Sequence, residues 1–356
     1  MDAAAFRAEF PVLERLAFLN AGTDGPVPAA AVRAAREALE SELADGRHRP
    51  HFDARLAAQT ELRALYATVL GCDVSEVALK TSTSEGLGTV IAGLELGPGD
   101  EIVTSDTEHP GLIGPLVAAR GRGVTVRAVP LREIADAVDE RTSLVACSHV
   151  SWVTGELAPA ALAQVDVPVV LDGAQGVGAV PVDVRALGCA AYAASGQKWL
   201  CGSDGTGMLY VEPAFAERVR VLAPSFMCFE DSHAGLEATL HPDARRFDTA
   251  SLSREAAAFS LAAARFLEAA GFEAVHARAA ELAGRLADEL AARGLVVAPR
   301  DATTLVAWES DDPDGARERL AGAGVIVRDL PGTPYLRASV GAWNDEGDLE
   351  RLLAAL

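Results

Sequence analysis

The sequence predicts an α/β protein, with a large unit built on a mostly parallel sheet and a smaller α+β unit after it. Three observations carry that prediction. Ala-rich helical patterns alternate with short β-branched runs as far as Val211, the order of βαβ units. The run VPVVL (167–171) is apolar throughout, as a strand covered by helices on both faces must be. Beyond residue 250 the texture changes to one long helical stretch followed by shorter mixed elements.

Taken in order, PAAAVRAAREALESELA (28–44) reads as a helix. So does FDARLAAQTELRALYATVLG (52–71), with Gly71 suited to the left-handed residue that closes helices. Strand-like runs follow at VALK (77–80), EIVTS (101–105), VTVRAVP (124–130), SLVACSHV (143–150), VPVVLDGA (167–174) and AAYAAS (190–195). A helical pattern then runs from Arg254 to Arg293, broken near Gly271. LVVAP, TTLVAWE, a helix near 312–323, VIVRDL, YLRASVG and a final helix at 345–355 complete the chain. The Ala-rich runs keep no fixed period, so no repeat architecture is expected.

Composition narrows the function classes. Hydrophobic residues make up 50% of the 356, enough for a sizeable core. Lys+Arg is 31 against Asp+Glu 51, a formal net charge of -20, which argues against a binder of nucleic acid or acidic membrane. No apolar run reaches the roughly 18 residues of a membrane span, and MDAAAFRAEF lacks the pattern of a signal peptide. The five cysteines, Cys72, Cys147, Cys189, Cys201 and Cys228, form no CxxC pair, so a reduced, cytoplasmic setting is expected. His48 and His51 lack a four-ligand metal spacing and read as a polar loop, with no metal expected.

The informative stretch is 167–211. Asp172 ends an apolar strand, at the edge where open α/β sheets place ligands. Gln175 follows three residues later, and Lys198 stands in SGQKW after a second strand-like run. Alone, Asp172 reads as a turn residue and a lysine as solvated surface. Together they suit pyridoxal phosphate, since a lysine can form a Schiff base with its aldehyde while a carboxylate keeps the ring nitrogen protonated. Apolar and small neighbours around Lys198 would favour its neutral amine.

DxxQ followed by SGxKxxxGxxGxGxLYV (195–211) resembles the class V aminotransferase-type enzymes of fold type I, and the likeness extends from FLNAG (18–22) to LRASVGAWNDEGDLERLL (336–353). The resemblance implies a seven-stranded sheet in a cofactor domain at 15–250, with residues 1–14 and 251–356 in a small domain. It implies pyridoxal 5'-phosphate as cofactor, Lys198 as the Schiff-base lysine, Asp172 on the pyridinium nitrogen and Gln175 on the phenolic oxygen. Thr83 and Ser84 in KTSTSEG (80–86) match its phosphate turn, a helix start that suits phosphate on its own terms. His109 in DTEHPG matches the histidine that stacks on the ring and takes part in proton transfer. Ser195 and Gln197 flank the lysine, Gln197 standing where relatives often carry His. Beyond Arg246–Phe247–Asp248, Thr249 or Ser251 would reach the partner's phosphate in a homodimer with shared sites. Arg337 matches the arginine that grips the substrate α-carboxylate. Asn20 and Trp152 are substrate-side candidates, Trp152 standing where many desulfurases have Asn and narrowing the pocket.

The chain departs from cysteine desulfurases in one respect that bears on chemistry. The stretch VIVRDLPGTPYLR (325–337) holds no cysteine, so a persulfide route through that loop is not expected. Cys228 in PSFMCFED reads as a small buried apolar residue. The expected activity is β-elimination from a cysteine derivative, with transamination second and epimerisation third. A dinucleotide-binding dehydrogenase is disfavoured because FLNAGTDGPVP lacks GxGxxG.

Overall fold

The computed structural model describes residues 1–356. The first part of the chain forms α1 (Ala3–Ala8), β1 (Ala17–Phe18), α2 (Ala29–Asp45), α3 (Arg49–Leu70), β2 (Val77–Lys80) and α4 (Thr83–Gly93). Next come β3 (Glu101–Ser105), α5 (Pro110–Gly121), β4 (Thr125–Val129), β5 (Thr142–Ser148), β6 (Val169–Asp172), β7 (Ala191–Ser195) and β8 (Gly207–Val211). The C-terminal part holds α6 (Pro213–Ala216), α7 (Arg254–Ala270), α8 (Phe272–Ala292), β9 (Leu305–Glu309) and α9 (Pro313–Gly322). It ends with β10 (Val325–Ile326), β11 (Arg328–Asp329), β12 (Tyr335–Ser339) and α10 (Glu346–Ala355).

Helix ends follow local chemistry. Gly71 closes α3 with φ 68°, the left-handed conformation that costs a glycine little. Ser82 caps α4 by accepting the Glu85 N–H, and Ser253 caps α7 by accepting that of Ala256. His48 and His51, read above as a polar loop, instead begin α3. His48 is its N-cap residue, Pro50 sits in the first turn where no N–H is needed, and His51 Nδ1 lies 3.4 Å from Glu42 Oε1.

The main sheet has seven strands in the order β2-β8-β7-β6-β5-β3-β4. All neighbours are parallel except at β8, which runs antiparallel to both β2 and β7. Alternate side chains feed two separate cores. Val77, Leu79, Val145, Cys147, Val169 and Leu171 point into one, shared with α3 and α7. Ala78, Leu144, Ala146 and Val170 point into the other, against Leu87, Val90 and Ile91 of α4 and Leu112 and Leu116 of α5. Both faces are covered, which is why these strands read as continuous apolar runs.

A second, antiparallel sheet orders β11-β12-β9, and β1 pairs in parallel with β10. Its core gathers Leu282, Leu286 and Leu290 of α8 with Val306, Trp308 and Leu336. α7, placed after the 251 boundary in the sequence reading, lays Leu261, Ala263, Ala264 and Leu267 in the core of the main sheet. LVVAP forms a single bridge, Val297 to Trp308, rather than a strand.

Candidate active site

The parallel strands β2, β3, β5, β6 and β7 end at one edge of the sheet, and the residues just beyond those ends surround a cavity of about 260 Å³. Ser82, Thr83 and Ser84 enter it from the β2–α4 turn, His109 and Gly111 from β3–α5, Asp172 and Gln175 from β6, and Ser195, Gln197 and Lys198 from β7. Trp152 follows β5, while Arg328 and Arg337 reach in from the second sheet.

At one end lies a cup of neutral donors. Ser195 Oγ accepts the Thr83 N–H (3.0 Å) and lies 2.7 Å from Thr83 Oγ1. Of the first-turn N–H groups of α4, that of Thr83 is taken by Ser195 and that of Glu85 by Ser82, which leaves the Ser84 N–H and the helix's partial positive charge for an anion. Gln197 Oε1 is buried without a partner.

Lys198 makes no hydrogen bond or ion pair, and its amine faces the cavity. Surrounding protein lowers its pKa from the usual lysine value to about 8, against an opposing pull from Asp172. Asp172 is 4% exposed, and one oxygen accepts the Ala174 N–H at 2.9 Å. Burial raises its pKa, while that N–H and Lys198 lower it. No cationic side chain pairs with it, so a buried carboxylate is left facing the cavity with acceptor capacity to spare. Beside it, the Gln175 amide donates to Gly22 O (2.8 Å) and accepts from Trp199 Nε1 (2.9 Å), which leaves one amide hydrogen for a ligand.

His109 caps α5. Its Nδ1 accepts the Gly111 N–H at 3.0 Å, which assigns the ring proton to Nε2. Burial, with Lys198, Arg328 and Arg337 nearby, lowers its pKa to about 4, so the imidazole is neutral. Trp152 stands edge-on to this ring, and its indole N–H donates to Thr107 O at 2.9 Å.

At the opposite end, Arg337 is 1% exposed and donates from Nη1 to Trp152 O (2.5 Å), with Nε unpaired. Burial first, and Arg328 second, push its pKa down to about 9, which leaves it charged at neutral pH. Gly22 makes room for its fork, since a Cβ there would lie 2.7 Å from Nη2. Arg328 is the register partner of Arg337 across β11–β12, and it donates to Thr23 Oγ1 at 3.0 Å.

The structure thus brings Lys198, Asp172, Gln175, His109, Thr83, Ser84, Ser195, Gln197, Trp152 and Arg337 together. It does not bring three others. Asn20 does not line the cavity; its Oδ1 accepts the hydroxyl of Thr23, which does (2.8 Å). Thr249 is pinned elsewhere by its N–H bond to Leu79 O (2.9 Å), and Ser251 lies exposed beyond it. Cys228 is buried away from the cavity, donating to Asp248 O at 3.3 Å, as a structural thiol would. Sequence reasoning missed Arg328, Thr23 and Asp24. The Thr-Asp-Gly turn after FLNAG was a signal for the last two, whereas Arg328 in VIVRDL looks like any strand-edge arginine.

Similarity to known proteins agrees with this geometry. A probable cysteine desulfurase of Methanothermobacter thermautotrophicus is 32% identical over 219 residues, 57% of this chain and 55% of that protein. The chain therefore spans just over half the length of that relative. Probable cysteine desulfurase 2 of Mycobacterium leprae is 31% identical over 314 residues, 79% of this chain and 74% of its own. The solved complex of the cystine C–S lyase C-DES with its reaction product cysteine persulfide superposes with a TM-score of 0.91 at 25% identity, covering 97% of this chain and 98% of that one. The family model described as aminotransferase class-V matches residues 17–352, and the chain belongs to that family.

Proposed function

We propose that this chain is a pyridoxal-5'-phosphate-dependent lyase that breaks a carbon–sulfur bond in a cysteine derivative by β-elimination. The observation that carries the reading is the unpartnered Lys198 amine in one cavity with the buried, cation-free carboxylate of Asp172. The fit to the cofactor is specific: the α4 N-terminus with Thr83, Ser84, Ser195 and Gln197 suits its phosphate, Asp172 its ring N–H, Gln175 its phenolic oxygen and His109 its face. When bound, the cofactor supplies an electron sink conjugated to the substrate's α-carbon.

The protein's part is positioning and proton transfer. Arg337 holds the α-carboxylate through a bidentate pair, and Gly22, Thr23 and Asp24 line the cavity beside it. Lys198 takes the α-proton at Nζ, for which an amine titrating near 8 is well matched. The same Nζ then returns a proton to the departing sulfur. His109 is kept neutral by burial and its tautomer is fixed by the helix cap, so it acts as a stacking ring and an Nε2–H donor rather than as a base.

The absence of a protein acceptor thiol favours elimination over desulfuration. None of the five free cysteines lines the cavity. Arg328 supplies a second cation next to Arg337, and Asp24 an anion near both Arg328 and Lys198. A substrate carrying a second zwitterionic end, as cystine does, matches that arrangement.

A homodimer follows from the same reading. Thr249 and Ser251 have no role in their own cavity, and Leu222, Phe226 and Leu236 lie exposed on the segment before them. A partner docked there would receive those hydroxyls at its phosphate. The small domain on this reading starts at α8, because α7 belongs to the main core. No helix is long and apolar enough to cross a membrane, and the five free thiols fit a reducing, cytoplasmic site of action. The deciding experiment supplies cystine and S-substituted cysteines without a keto-acid acceptor. Pyruvate with a released thiol or persulfide is the expected result. Accumulation of the pyridoxamine form without pyruvate would mean a transaminase.

A further inference from the structure

Glu108 is a buried carboxylate, 6% exposed, that the reading above leaves without a role. It sits where the main sheet separates. The β3–β5 ladder ends at the pair Val103–Val145. Beyond it the two strands turn to their other neighbours: Asp106 N–H donates to Val129 O in β4, and His149 N–H to Asp172 O in β6. Glu108 spans the resulting gap. Its Oε1 accepts the Ser105 hydroxyl (2.5 Å) and the Ser148 N–H (2.9 Å), and its Oε2 accepts the Ser148 hydroxyl (2.5 Å).

Both ends of this bridge bear on the site. His109 follows Glu108 directly and caps α5, while Ser148 is the register partner of Asp172. One side chain therefore sets the spacing between the strand end that carries the stacking imidazole and the strand that flanks the ring-nitrogen carboxylate. Three donors and no acceptor face the group, which suits the ionised form. Burial pushes its pKa up, the bonds from Ser105 and Ser148 oppose that push, and the like charge of Asp172 adds to it.

We propose that Glu108 is a positioning residue with two separable effects: its reach fixes His109 relative to Asp172, and its negative charge supports the protonated state of the bound cofactor. The inference rests on the reading of this cavity as a pyridoxal phosphate site. Glu108 does not itself line the cavity; the titratable groups that do are Asp172, Lys198, His109, Arg328, Arg337 and Asp24, and the charge of Glu108 reaches the site through its repulsion with Asp172.

Two variants of the holoenzyme separate the effects. In Glu108→Gln the amide oxygen still accepts from Ser105 and Ser148 N–H, and its NH₂ donates to the Ser148 hydroxyl, so the reach is kept and the charge lost. Removing a nearby negative charge lowers the apparent pKa of the bound-cofactor absorbance by about one unit, with cofactor affinity changed less than about threefold. In Glu108→Asp the charge stays but the side chain no longer spans both strands. The absorbance pKa then stays at the wild-type value, and the pyridoxal phosphate dissociation constant rises about tenfold. Thermal melting of both variants checks that they are folded. A wild-type absorbance pKa in Glu108→Gln overturns the charge effect, and wild-type affinity in Glu108→Asp overturns the reach. Failure of the wild-type protein to form any cofactor absorbance would overturn the cofactor reading itself, and this inference with it.

Discussion

His109 and Trp152 meet edge to face, with ring centroids 5.1 Å apart and planes at 88°. The same Trp152 offers its carbonyl oxygen to Arg337. One residue thus braces both the imidazole and the guanidinium. Trp152→Ala removes an edge contact of about 1 kcal/mol and leaves the 152 backbone less fixed. A fall in kcat/KM of roughly threefold to tenfold is expected. Trp152→Asn is expected to shift preference away from apolar S-alkyl cysteines. An unchanged substrate ranking would count against the indole as a pocket wall.

Cofactor capture reports on Lys198. Its amine titrates near 8, below the usual lysine value, because the site excludes water. Below that pH it is protonated and not nucleophilic. The rate of covalent capture by apoprotein therefore rises about tenfold per unit to pH 8 and levels above it. Stopped-flow absorbance across pH 6 to 10 measures this, and a plateau reached only near the ordinary lysine value would contradict the burial argument. Lys198→Ala loses the covalent absorbance altogether, with activity down by roughly 10²–10⁴-fold or more.

The two arginines have different expected signatures. Arg337→Ala removes the carboxylate clamp, raising KM for every amino-acid substrate by roughly 10–100-fold, the worth of a charge-assisted pair. Arg328→Ala penalises cystine more than S-methylcysteine, because only cystine has a second carboxylate. Equal losses on the two substrates would remove Arg328 from substrate selection. Steady-state kinetics on both substrates decide the matter.

Sharing of sites is tested by complementation. Chains carrying Lys198→Ala are mixed with chains carrying Thr249→Val and Ser251→Ala, then unfolded and refolded together. In a two-fold dimer each heterodimer regains one complete site, so about a quarter of the sites are restored at equal mixing. Activity at the sum of the two parents would mean that the hydroxyls serve no partner.

The segment carrying those hydroxyls hangs on Asp248. Its carboxylate accepts Arg63 Nη1 (2.9 Å), Arg63 Nη2 (2.7 Å) and the Leu79 N–H (2.8 Å), all buried. Asp248→Ala leaves a buried guanidinium unpaired and is expected to cost about 3–5 kcal/mol in urea unfolding. A loss under about 1 kcal/mol would mean that water reaches the pair.

What was legible in the sequence was set by local order. Strands such as those in VPVVL and AAYAA, buried on both faces, left continuous apolar runs, and the glycines after Lys198 marked a turn on a sheet edge. The lysine, aspartate and glutamine lie close along the chain, so their motif survives as a string. Arg328 joins Arg337 only through an antiparallel register, and Thr23 and Asp24 reach the cavity only because the Gly22 and Gly25 turn packs against Gln175 and Gln197. Such pairings are long-range and leave no periodic trace. His48 and His51 were misread for the opposite reason, since the proline between them signals a loop but also starts a helix well. Glu108 could have been suspected from its place, an acid between an apolar strand and a helix cap.

Arg328 and Arg337 stand opposite each other at one end of the cavity, with a cup of neutral donors at the other. On the function proposed above, small anions will therefore compete at the two arginines, and less so at the neutral cup. Sulfate and chloride should act as competitive inhibitors, so turnover measured in high salt will understate the enzyme's capacity. The choice of assay buffer thus becomes a probe of how much of the substrate affinity is electrostatic.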